Sequence, residues 1–72
     1  MYTPIHVGKK VKMICADRDI SIKDLAKKHG ALYTTFKSKL SRNTMSFAEV
    51  ESIMDDLDTD IVFVDRKTKK IY

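Results

Sequence analysis

Residues 21–40 read SIKDLAKKHGALYTTFKSKL, and this stretch decides the fold. The pattern predicts two short helices joined by a tight turn at Gly30. Leu25 and Ala26 fall on one face of the first helix, and Phe36 and Leu40 form an i, i+4 pair on the second. Ser21 is a good N-cap for a helix over 22–29, with Asp24 three residues on as a capping acid. Lys27, Lys28 and His29 suit the negative end of that helix's dipole. Gly30 tolerates the left-handed conformation that ends a helix. Helices this short are marginal alone and need a platform.

The second helix of the pair is predicted over 32 or 33 to 41. With Phe36 at zero and about 100° per residue, Leu32 and Leu40 fall within about 40° of it, on the inward side. Thr34, Ser38 and Ser41 fall opposite, flanked by Thr35 and Lys37. The outward face is therefore small, polar and edged with lysine. Residues 25–48 contain no Asp or Glu. A helix presented to DNA must not bring carboxylates to phosphates, and short polar side chains allow close approach to base edges.

The flanks supply the platform. Thr3 and Pro4 suggest a helix start, and Val7, Val11, Ile14 and Cys15 form one apolar stripe over residues 4–18. His6 reads as a surface residue. Ile20 and Leu25 suggest a hydrophobic staple. Ser46 and Glu49 spell a full capping box, with Met45 and Val50 as its staple. A fourth helix follows to about 57, with Phe47, Val50, Ile53, Met54 and Leu57 inward and Glu51, Asp55, Asp56 and Asp58 solvated. Residues 61–64, IVFV, are β-branched and aromatic and read as a strand; 69–72 suggest a returning strand after a turn. A lone hairpin is marginal. Ile61, Val62, Phe63, Val64, Ile71 and Tyr72 are therefore candidates for a dimer interface, the alternative being a β-tail tucked onto its own helices.

At these residues the chain resembles the Cro/phage-repressor (XRE-like) helix-turn-helix group. Leu25-Ala26, Gly30 and Phe36 match its Leu-Ala pair, turn glycine and inward hydrophobe. Val7-Gly8, Val11 and Ile14 look like its first helix. The resemblance spans about residues 5–57. Ile22 stands where the family often has a phosphate-contacting Gln, and Leu32 where it often has a capping Ser or Thr. The resemblance implies a mainly α fold: a four-helix, lambda-repressor-like helix-turn-helix domain with a short C-terminal β-strand or hairpin. One domain is expected over 1–72, with 4–57 as helical core and 58–72 as β-tail and candidate dimerisation arm.

The net charge of +4 conceals a stronger asymmetry. Residues 1–46 carry ten Lys/Arg and three Asp, residues 47–65 carry seven acids and no base, and residues 66–72 carry four bases. A basic block holding the helix pair suits a polyanionic partner. One cysteine, Cys15, excludes an internal disulfide and fits a reducing compartment. No apolar run approaches the roughly 20 residues of a membrane span, and no signal-peptide pattern opens the chain. A cytoplasmic protein is expected. Two distant histidines and one cysteine have no metal-ligand spacing, and no glycine-rich phosphate loop is present. No enzyme, cofactor, metal or small-molecule ligand is expected.

The functional expectation is a sequence-specific DNA-binding transcriptional regulator of the repressor type, binding double-stranded DNA as a homodimer. Tyr33, Thr34, Lys37 and Ser38 are the base-contact candidates, Lys37 for guanine and the Thr34 methyl for thymine. Lys9, Lys10, Ser21, Lys23, Thr35, Ser41, Arg42 and Asn43 are the phosphate-contact candidates. For the 41–44 loop the alternative is a plain turn assisted by Asn43. The alternative for the whole chain is a helix-turn-helix protein-interaction module, antitoxin-like or partner-binding, and RNA binding is a weaker third option.

Overall fold

A computed structural model describes residues 4–72. Four helices follow in order: α1 (Val7–Asp17), α2 (Ile22–His29), α3 (Tyr33–Arg42) and α4 (Phe47–Asp56). One core joins them. Val11 and Cys15 come from α1, Leu25 and Ala26 from α2, Phe36 and Leu40 from α3, and Ile53 and Met54 from α4, with Leu57 closing it. Each large apolar side chain taken out of water here contributes about 1.5–3 kcal/mol. The core holds no polar or charged side chain among the described residues.

The helix boundaries follow from caps. Ser21 Oγ accepts from Asp24 N at 3.0 Å, and Gly30 ends α2 at φ +78°. The same ending recurs throughout. Asp19 after α1, Asn43 after α3 and Asp58 after α4 also take positive φ. In each case the next amide reaches back to the last turn: Ile20 to Cys15, Ala31 to Ala26, Thr44 to Lys39 and Thr59 to Met54. These bonds satisfy carbonyls that a helix end leaves unpaired.

Four expectations need correction. First, α1 begins at Val7, not at 4. Its cap is His6, whose Nδ1 accepts from Lys9 N at 3.2 Å. Thr3, the expected cap, lies outside the described residues. Second, Leu32 is not inward. It is the N-cap of α3, with extended backbone (φ −67°, ψ 133°), and 75% exposed. The helical angle does not extend to a residue whose backbone is not helical. Third, Phe47 is exposed and stacks on Phe63, with centroids 6.4 Å apart, instead of joining the core. Fourth, the described residues contain no β-strand. The tail makes a single antiparallel bridge, Val64 to Ile71. Asp65 Oδ1 accepts from Lys67 N and Thr68 N at 2.8 and 2.9 Å, and Lys69 takes φ +62°. These local bonds make a compact turn, and β-propensity at 61–64 finds no ladder long enough to become a strand.

Two contacts fix α3 against its neighbours. Gly8 lies where a Cβ would run into the carbonyl of Leu40, so α1 and α3 meet backbone to backbone. The Asn43 side chain clasps the start of α1: Oδ1 accepts from Val7 N at 2.9 Å and Nδ2 donates to Ile5 O at 3.1 Å. Across the molecule, Lys28 Nζ donates to Asp56 O at 2.9 Å, capping the carbonyl end of α4. His29 Nδ1 donates to Asp56 Oδ2 at 3.1 Å while its ring tilts over Phe36 at 5.7 Å. Asp56 makes a fifth correction: expected on the solvated side of α4, it is half-buried and holds α2.

Candidate nucleic-acid interface

The helix pair α2–α3 presents its outer surface because its inner one is spent. Phe36 and Leu40 are 2% and 1% exposed. Outside this pair Thr34, Thr35, Ser38, Lys39, Arg42 and Thr44 line one open hollow of about 480 Å³. Thr34, Ser38 and Arg42 repeat at helical spacing, so one face gathers them. The structure therefore brings together four of the sequence candidates: Thr34, Thr35, Ser38 and Arg42. Tyr33 and Lys37 sit side by side at one margin, with Lys37 Nζ 5.8 Å from the Tyr33 ring centroid. Ser41 is exposed on the same helix.

The remaining candidates fall elsewhere. Ser21 lies at the start of α2, its oxygen occupied by the Asp24 amide and its hydroxyl proton free to donate. Lys23 lines a separate hollow of about 350 Å³ at the helix-turn-helix corner, beside Ala31, Leu32 and Tyr33. Lys9 is exposed on α1, while Lys10 lines a third surface with Val7 and Phe47. The side-chain amide of Asn43 is engaged by Val7 and Ile5.

Sequence reasoning missed Lys39 and Thr44 as members of the hollow. Thr35, Lys39 and Arg42 share the i, i+4, i+7 spacing, which was the available signal. It also missed that an acid comes close to α3. Glu49 Oε2 accepts from Lys39 Nζ at 3.1 Å, across ten residues of sequence. Glu49 N donates to Ser46 Oγ at 3.2 Å, while Ser46 Oγ donates to Glu49 Oε1 at 3.4 Å. The expected capping box is thus only half formed, because the carboxylate turns to Lys39 and to the serine hydroxyl. The hydrogen bond from Lys39 leads the interactions that lower the Glu49 pKa from its ordinary value.

The apolar surface is as well defined as the polar one. Val7, Met45, Phe47, Val50, Ile61 and Phe63 are among the residues around a groove of about 510 Å³. All six dimer candidates, Ile61, Val62, Phe63, Val64, Ile71 and Tyr72, are exposed. Burial raises the Cys15 thiol above its ordinary value, with Arg18 opposing, so it stays protonated at neutral pH. Among the described residues no group of three His, Cys, Asp or Glu could hold a metal ion, and no helix is long and apolar enough to cross a membrane.

A four-helix fold whose second and third helices meet at a left-handed glycine, with a polar, acid-free third-helix face, agrees with the comparison of the chain with known families. The model of the Cro/C1-type HTH DNA-binding domain matches residues 10–62. The chain belongs to this family. The match begins within α1, includes α2 to α4, and ends in the segment entering the tail. It leaves out most of the tail, which includes the Val64–Ile71 bridge. No curated protein and no solved structure matches the chain. Within the Cro/C1-type fold, α3 occupies the second position of the helix-turn-helix, which in such motifs enters the major groove.

Proposed function

We propose that this Cro/C1-type domain is a sequence-specific transcriptional regulator of the repressor type, acting in the cytoplasm as a homodimer. Binding, not catalysis, is its role. The domain is residues 1–72, with 4–57 as the core and 58–72 as the dimerisation arm. The observation that carries the reading is the outward face of α3. Thr34, Thr35, Ser38 and Arg42 border one open hollow, outside the buried pair Phe36 and Leu40. Nothing acidic occurs between residues 25 and 48.

In this reading Tyr33, Thr34, Lys37 and Ser38 face base edges. Lys9, Ser21, Lys23, Thr35, Ser41 and Arg42 take phosphates, releasing counterions, while Lys10 lies on the apolar groove instead. Ser21 can donate its hydroxyl proton while still capping α2. Asn43 serves mainly by holding α3 to α1, which fixes the angle at which the face is offered. Exposed Ile61, Val62, Phe63, Val64, Ile71 and Tyr72 support pairing of two copies, each reading a half-site about one helical turn from the other.

Selection against random duplexes, followed by titration with salt, tests the proposal. Arg42→Ala is expected to weaken all sequences alike and to reduce the salt slope by about 1. Lys37→Ala is expected to relax preference at one base pair, a loss of about 1–3 kcal/mol in discrimination. Wild-type binding that ignores salt, or a Lys37→Ala protein with unchanged affinity and preference, would reject α3 as the reader.

A further inference from the structure

The first residue of the α3 region is the least expected on the surface. Leu32 is apolar, 75% exposed, and caps α3 without any side-chain hydrogen bond. Helices favour Ser, Thr, Asp or Asn at this position, because a side-chain oxygen satisfies a free amide. Leu32 contributes neither that bond nor burial. Its surroundings point to what it meets. Leu32 and Tyr33, with Ala26 and Ala31, line the corner hollow of about 350 Å³, and Lys23, Lys27 and Asp24 stand around it. Lys37 Nζ lies 5.8 Å from the Tyr33 ring centroid. The apolar patch is thus small and set among three lysines and one carboxylate, a border that suits phosphates better than a protein partner.

We infer that Leu32 is a specificity-determining residue, whose side chain takes up the 5-methyl group of a thymine in the major groove. The inference rests on α3 being the reading helix. The N-terminal residues of such a helix are the ones that reach base edges. Of the four bases only thymine shows a methyl there; the others show hydrogen-bond donors and acceptors. A leucine has neither donor nor acceptor, so the methyl is the one feature of a base edge it can favour. Tyr33 forms the adjoining wall, and Lys23, one of the phosphate-contact candidates, lines the same hollow.

The test removes one methyl and nothing else. In the preferred duplex, each thymine of a half-site is replaced in turn by deoxyuridine. Wild-type protein is expected to lose about fourfold in affinity at one thymine, the worth of one methyl removed from water. Leu32→Ser is expected to bind the thymine and uracil duplexes equally. Its hydroxyl supplies the absent cap oxygen, so α3 stays formed. Leu32→Met keeps an apolar side chain and is expected to retain the difference. Methyl-blind binding by the wild type, or an unchanged thymine preference in Leu32→Ser, overturns the inference alone. A wild type with no salt-dependent duplex binding overturns the reading of α3 along with it.

Discussion

The face of α3 and the face made by α4 and the tail are exposed to the same solvent yet have opposite chemistry. The first is built from threonines, serines, lysines and Arg42 around an open hollow. The second is aromatic and aliphatic, with Phe47 stacked on Phe63, beside the Glu51, Asp55 and Asp60 carboxylates. A polyanion is drawn to one and repelled by the other. An apolar partner gains by covering the second and finds little to bury on the first. The difference teaches that charge asymmetry along the chain, basic before 47 and acidic from 47 to 65, becomes asymmetry in space. The two faces meet at one ion pair, Lys39 with Glu49.

The strongest way to break this division is to unseat α3. Gly8→Ala puts a methyl group against the Leu40 carbonyl. A backbone obstacle cannot swing aside, so a loss of about 1–3 kcal/mol is expected, near the upper end, read as a lower urea midpoint. DNA affinity should fall with it, because the angle of α3 changes.

A second variant separates the faces. Phe63→Ser removes an aromatic side chain that is 63% exposed. Folding stability should fall by about 0.5–1.5 kcal/mol, the worth of the stack on Phe47. If two copies pair through the tail as proposed, self-association measured by sedimentation should weaken by about tenfold or more, the effect of losing an aromatic anchor. Equal association of wild type and variant would place the interface elsewhere.

The smallest effect lies at the seam. Folding lowers the Glu49 pKa, chiefly through the Lys39 hydrogen bond. The stabilisation is therefore present above the ordinary glutamate range and is lost as pH falls through the folded value. Glu49→Gln should lower the urea midpoint slightly at pH 7, and the two midpoints should converge in acid. A gap that persists at low pH would mean that Glu49 acts through packing and not through its charge.

Much of the helical frame could be read from local chemistry. Ser21, Asp24 and Gly30 bound α2 at residues 22–29, and the structure has the same limits, because cap and glycine both act within one turn. The inward pair Phe36 and Leu40 followed from spacing alone. The start of α1 was hidden because an imidazole nitrogen does the capping, which is outside the usual set of cap side chains. A helical angle puts Leu32 inward, but its extended backbone does not obey that angle. The predicted strand failed because IVFV has the right composition but only one bridge to pair with. In the candidate interface, Thr34, Thr35 and Ser38 were legible as one face; Arg42, expected in the 41–44 loop, joins them because α3 runs on to it. The Lys39–Glu49 and Asn43–Val7 contacts were not legible, since they join residues 10 and 36 apart in sequence with no local signal.

The seating of α3 has a consequence for how such a chain can diverge. Its grip on the rest of the molecule comes from Phe36, Leu40, the bare backbone at Gly8 and the Asn43 side chain. Side chains at 34, 35, 37 and 41 lie outside that grip, so their replacement leaves the core untouched. New target preferences can therefore accumulate at these positions by single steps, each nearly neutral for folding. Descendants of one chain could recognise different sites while sharing the same scaffold.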